Sequence, residues 1–172
     1  MPSALTGTPG VGKTTVANRL REEGVRVLDL NEFIVNEGLR EKRDTLRDSY
    51  EVNIEKLRDI YPQAEKHEIV EGHLSHYLSL SPTIVLRCET NELKKRMDKK
   101  GWPERKIREN IEAEIMDVIL MESLDYCEIV CEIDTTEKSP EKVKNEVIEI
   151  INGKTQKYKP GDVDWSISIT EI

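Results

Sequence analysis

Gly7-Thr8-Pro9-Gly10-Val11-Gly12-Lys13-Thr14 fits the phosphate-binding pattern G-x-x-x-x-G-K-[ST] at every position. Glycines let the backbone curl into a nest whose N–H groups converge on one phosphate. Lys13 adds positive charge at the β- and γ-phosphates, and the Thr14 hydroxyl is a ligand type suited to Mg²⁺. The flanks agree. Ser3-Ala4-Leu5-Thr6 reads as a short buried strand, and Thr14-Thr15-Val16-Ala17-Asn18-Arg19-Leu20 opens a helix. The helix N-terminus and its dipole then stand behind the anion. The stretch predicts a nucleoside triphosphate site contacted by Gly10, Val11, Gly12, Lys13, Thr14 and Thr15.

Outward from this loop, apolar runs recur with helical stretches between them, the pattern of parallel βαβ units. Strands are expected at Ser3–Thr6, Val25–Asp29, Glu68–Glu71, Thr83–Cys88 and Glu128–Ile133. Helices are expected at Lys13–Glu23, Asn31–Leu39, Glu51–Ile60, Glu92–Lys99, Glu104–Tyr126 and Pro140–Ile151. Ser139 is placed to cap the last helix, with Pro140 at its first position and Gly153 as its stop. The expected fold is α/β: a three-layer P-loop NTPase fold whose five-stranded parallel sheet carries helices on both faces. Its ligand belongs at the carboxyl ends of the strands.

The 172 residues are one domain's worth, without internal repeat or low-complexity segment. No stretch approaches the roughly 20 apolar residues of a membrane span. Met1-Pro2-Ser3 runs straight into the first strand, so no signal peptide and a cytoplasmic location are expected. Cys88, Cys127 and Cys131 lack a partner pair at zinc-ligand spacing and read as thiols of a reducing compartment.

Charge is segregated. Lys94 to Arg108 holds eight basic residues and two acids, in a chain of net charge −8. A general nucleic-acid binder needs a broad basic face, so no direct sequence-specific nucleic acid is expected. Concentrated positive charge suits one small anionic ligand, and of the eight, Arg96, Lys100 and Arg105 are the candidate contacts. Phosphoryl transfer needs positioning and electrostatic stabilisation, which a mobile basic flap supplies while excluding water.

A guanine-reading Asn-Lys-x-Asp is absent, which argues against a GTPase switch. The second acidic motif is Ile69-Val70-Glu71-Gly72-His73. A carboxylate at the end of a buried strand beside the phosphate loop is where Mg²⁺ or its waters are held, so Glu71 joins Thr14 as a metal candidate. His73, near the phosphates, either aligns water or a partner group or simply packs. His76 reads as structural. Asp29 either orients the following segment or caps the next helix. Glu109, Glu112 and Glu114 read as a solvated helix face, with Asn110 and Glu114, four apart, able to brace the flap.

Taken together, Gly7 to Thr15, Glu71-Gly72-His73-Leu74-Ser75-His76, and Lys100-Gly101-Trp102 with Asn110 and Glu114 resemble the adenylate kinase isoenzyme 6 family. The likeness extends to the closing Pro160-Gly161-Asp162-Val163-Asp164-Trp165. Members are small nucleoside monophosphate kinases that also act as ATPases in small-ribosomal-subunit assembly. The resemblance implies a monophosphate-accepting lobe at about 29–52 and a short lid at about 99–109, with Arg96 and Lys100 near the ATP phosphates. It implies an adenine-side loop at Asp134–Pro140, containing Thr136 and Lys138, and a role for His73 in ATPase chemistry. It implies ATP and AMP as substrates and a small-subunit ribosomal protein as partner.

Two positions depart from the family pattern. Lys100 stands where Arg usually precedes Gly101, giving up a bidentate grip on phosphate. Val35 stands where the lobe often carries an Arg, leaving Arg40, Arg43 or Arg47 to replace it. Three functions follow in order: Mg²⁺-dependent adenylate kinase, ATP-hydrolysing ribosome-assembly factor, and kinase of another small metabolite. The tail, residues 154–172, with Trp165 and the alternating Ile167 and Ile169, is expected to dock a protein partner and to be dispensable for nucleotide binding.

Overall fold

The computed structural model describes residues 2–44, 49–61 and 68–166. Arg47, Ile167 and Ile169 lie outside them. The five expected strands form one parallel sheet: β1 (Ser3–Gly7), β2 (Val27–Asp29), β5 (Ile69–Glu71), β6 (Thr83–Arg87) and β7 (Val130–Asp134). Their spatial order is β2-β5-β1-β6-β7. The order reverses at β1, so the crevice at its carboxyl end is where such sheets bind ligands.

Strand periodicity divides the core between the two faces. Ile69, Ile84, Leu86, Cys131 and Ile133 point to one face, joining Val16, Leu20, Leu93, Met97, Val143 and Val147. Those helical residues come from α1 (Lys13–Glu22), α4 (Thr90–Lys99) and α7 (Pro140–Ile151). Val70 points the other way, toward Leu30 and Ile34 of α2 (Leu30–Asn36) and Leu57 of α3 (Ile54–Ile60). Val85 and Val130 share that second face with Leu120. Helices on both faces of the sheet, whose central strands are buried, give the three layers expected of the chain.

Local signals set the helix ends. Ser139 Oγ accepts from the Lys142 N–H and Pro140 opens α7, as the sequence indicates. Asp29 caps α2 by accepting from the Asn31 and Glu32 N–H groups, which settles one of its two readings. Two segments differ from expectation. Arg40–Asp44 (β3) and Ser49–Val52 (β4) pair as an antiparallel hairpin, so α3 starts at Ile54 rather than Glu51. The helix expected over Glu104–Tyr126 is two, α5 (Glu104–Ile115) and α6 (Val118–Tyr126), broken where Asp117 adopts φ 54.

Candidate active site

The sheet register lines up the chemistry along one edge. Glu71 pairs with Leu5 on one side and Asp29 on the other, while Gly7 pairs with Leu86 and Arg87 with Asp134. From this edge β1 passes into the phosphate loop. Gly7 is required by close approach, because a Cβ there would meet the Leu86 carbonyl oxygen. Gly12 holds φ 113, open to glycine and strained for other residues, and turns the chain into α1. No side chain caps α1, so its first amides are available to an anion.

Lys13 is 8 % exposed, and its Nζ donates to the Gly7 carbonyl at 2.6 Å and the Thr8 carbonyl at 3.1 Å. Burial pulls its ammonium down to about 8, against the opposing pull of Glu71 and Glu114. Glu71 is buried and its carboxyl is shifted upward, first by desolvation and further by the neighbouring Asp29. Thr14 Oγ1 donates to Glu71 Oε1 across a long 3.5 Å. A buried carboxylate so weakly satisfied beside a threonine hydroxyl is a hard-oxygen pair that fits Mg²⁺. No group of three or more His, Cys, Asp and Glu able to hold a metal occurs among the described residues. A cation held by Thr14 and Glu71 would have to draw its remaining ligands from elsewhere, such as phosphate and water.

His73 is half-buried beside this cluster. Burial first, then the neighbouring Lys13, His76 and Lys106, pull its imidazole down to about 4, so it is neutral at pH 7. Its carbonyl accepts from Thr6 Oγ1 at 3.4 Å. His76 is buried behind β1, its Nδ1 3.2 Å from Thr6 Oγ1 and its Nε2 3.1 Å from Glu122 Oε2. It packs, as its sequence position suggests.

A cavity of about 380 Å³ opens beside the loop, lined by Gly10, Gly12, Thr15, Arg96, Lys100 and Lys138 among others. Six of the expected ligand residues, Val11 among them, and Arg96 thus line one cavity. Arg96 is oriented differently from a phosphate clamp. Its Nε donates to Glu92, one terminal nitrogen to the Val11 carbonyl and Thr135 Oγ1, and the other to the Thr135 and Thr136 carbonyls. Every N–H has a protein acceptor, so the guanidinium offers a ligand its face rather than its edge. Lys100 Nζ lies 5.2 Å and Lys106 Nζ 4.6 Å from the centre of the Trp102 ring, gathering cations at the α4–α5 corner. Arg105 instead pairs with Glu109 on the surface of α5.

Thr136 is turned into its own loop, accepting from the Glu89 N–H and donating to Asp134. It lines a neighbouring cleft, with Trp165 on the same wall. Lys138 reaches the cavity while donating to Glu146 at 2.8 Å. Of the substitutes for an arginine at Val35, Arg40 lies 4.7 Å over the Tyr50 ring, and Val35 itself is exposed.

Sequence reasoning missed the support beneath the loop. Glu114 is 2 % exposed, not part of a solvated face; it accepts from Thr8 of the loop and from Arg87, which is itself 1 % exposed. Arg87 also meets Glu132 and Asp117. Only the Asn110–Glu114 spacing hinted at Glu114, and Asn110 bonds instead to the Lys106 carbonyl.

A phosphate loop leading from the central strand, an acidic residue on the adjacent strand and this sheet order define a P-loop kinase of the nucleoside monophosphate kinase type. A family model described as AAA domain matches residues 4–117. A protein of Methanocaldococcus jannaschii named "Putative adenylate kinase" is 42% identical over 170 residues, covering 96% of this chain and 93% of that one. One of the same name from Archaeoglobus fulgidus is 44% identical over 166 residues, covering 94% and 90%. The chain belongs to this adenylate kinase family. The shikimate kinase of Bacteroides thetaiotaomicron shares the fold, at 14% identity and a TM-score of 0.57, over 88% of this chain and 98% of that one.

Proposed function

We propose that this protein is a Mg²⁺-dependent adenylate kinase, moving the γ-phosphate of ATP to AMP to give two ADP. The observation that carries the proposal is the juxtaposition of Lys13, the uncapped start of α1 and the Thr14–Glu71 oxygens at the carboxyl end of the central strands. The amides of Gly10 to Thr15 and the Lys13 ammonium hold the β- and γ-phosphates, on which negative charge is spread during transfer. Thr14 and Glu71 would hold Mg²⁺, which when bound would supply charge neutralisation on those oxygens. An AMP phosphate oxygen bonds to the γ-phosphorus as the bond to the bridging oxygen breaks, and ADP leaves. The acceptor is already anionic, so no general base is needed. Neutral His73 orients water or phosphate by hydrogen bonding.

Residues at about 99–109 form the lid, delivering Lys100 and Lys106 from the Trp102 corner, and about 29–52 form the monophosphate lobe. Arg96 presents its guanidinium face toward the base, between the phosphate loop and the loop carrying Thr136 and Lys138.

A second reading is an ATPase that assists small-ribosomal-subunit assembly through a ribosomal protein. Two observations favour it: Val35 in place of a phosphate-gripping arginine, and the exposed apolar side chains Met116, Met121 and Leu124 on either side of the α5–α6 break, with Met116 72% exposed. A coupled ADP-production assay with Mg·ATP alone, then with AMP, CMP, UMP or GMP, separates the two. Strong stimulation by AMP, with two ADP formed per AMP consumed, is expected. Slow hydrolysis that no monophosphate accelerates would replace the first reading with the second.

A further inference from the structure

Arg87, at the end of β6, faces three carboxylates: Glu114 Oε1 at 2.7 Å, Glu132 Oε1 at 2.6 Å, and Asp117. One guanidinium cannot neutralise three acids, so their remaining acceptor sites depend on uncharged donors. Four such donors are in place. The Thr8 hydroxyl serves Glu114 Oε2, and the Cys88 N–H serves Glu114 Oε1 at 3.2 Å. Trp165 Nε1 serves the same Oε1 at 3.3 Å, and the Gly161 N–H serves Glu132 Oε2 at 3.0 Å. Two of the four come from the C-terminal segment and one from the phosphate loop.

A single buried carboxylate therefore joins the tail to the loop. Trp165, with Arg87 Nε and the Cys88 N–H, holds one oxygen of Glu114, and Thr8 holds the other. The Thr8 carbonyl in turn receives Lys13 Nζ. The tail is anchored just upstream by Tyr158, which is buried and donates to Glu149 at 2.7 Å. Withdrawing Trp165 and Gly161 removes one donor from each of two buried carboxylates, leaves the Glu114 oxygen to Arg87 Nε and the Cys88 N–H alone, and so shifts the balance of contacts that seats Thr8.

We infer that residues 161–165 are a working part of the nucleotide site: Trp165, acting through Glu114, is a positioning residue for the phosphate loop. The inference rests on the ATP reading of that loop, and it reverses the expectation that the tail is dispensable for nucleotide binding. Any partner that draws the tail away lowers the protein's hold on its triphosphate.

A double-mutant cycle tests it. Trp165→Phe keeps an aromatic body and deletes the N–H; Thr8→Val deletes the hydroxyl with little change of shape. Affinity for a non-hydrolysable ATP analogue with Mg²⁺ is measured by calorimetry on the full chain, with thermal melting to report folding. Each single variant is expected to bind about 3- to 10-fold more weakly, and the double variant no more weakly than the worse single one. Losses that multiply, or wild-type affinity in Trp165→Phe, overturn the tail's role. Failure of the wild type to bind the analogue would instead sink the nucleotide reading itself. Should Thr8→Val not fold, Trp102→Phe leaves Trp165 as the sole tryptophan. Its emission is expected to shift on saturation with the analogue, and an unchanged spectrum counts against the coupling.

Discussion

Lys13 holds its charge where the surroundings resist it. Buried among carbonyls, its ammonium is drawn from the usual 10.5 to about 8. Between those values the unfolded chain binds more protons than the folded one, so the nucleotide-free protein gains stability as pH rises through that window. A bound triphosphate supplies the missing counter-charge and restores the proton. Binding at pH 9 is therefore expected to take up close to one proton, and binding at pH 7 almost none. Calorimetry in two buffers of different ionisation heat reads this directly. Lys13→Met is expected to abolish the uptake, and zero uptake by the wild type at pH 9 would contradict the assignment. Lys13 was legible in the sequence because a phosphate nest admits few residue types. Glu114 was not, because nothing local separates it from Glu109 and Glu112; Arg87, at the end of β6, decides its burial.

The elements that escaped sequence reading did so for physical reasons. The hairpin of β3 and β4 is built from Arg40-Glu41-Lys42-Arg43-Asp44 and Ser49-Tyr50-Glu51-Val52, with too few apolar residues to show a strand period. The break between α5 and α6 falls at Met116-Asp117, in a stretch without proline or glycine to mark it. Tertiary contact explains it. Asp117 accepts the left-handed conformation and brings its carboxylate to Arg87. Replacing it separates the two contributions. Asp117→Ala and Asp117→Gly both lose the ion pair, but only glycine relieves the backbone strain. Glycine is thus expected to be the more stable variant by about 1 kcal/mol in urea titration. Equal midpoints for the two would mean that the turn is not held against its conformational preference.

Across the whole molecule, the parallel sheet was readable because each buried strand is a short apolar run bounded by turns or helices. Its strand order was not, since order depends on which faces the helices cover. That order places Asp29, Glu71, the phosphate loop and Arg87 along one edge, and the tail returns beneath it through Gly161 and Trp165. The candidate residues for phosphate, for metal and for structural support therefore converge from segments spread over most of the chain. The central claim is that this edge transfers phosphate between nucleotides rather than only to water. Supplying the protein with Mg²⁺ and ADP alone tests it in reverse, with products followed by ion-exchange chromatography. ATP and AMP are expected in equal amounts without inorganic phosphate. ADP left unchanged, under conditions where the same preparation hydrolyses ATP, would contradict the claim.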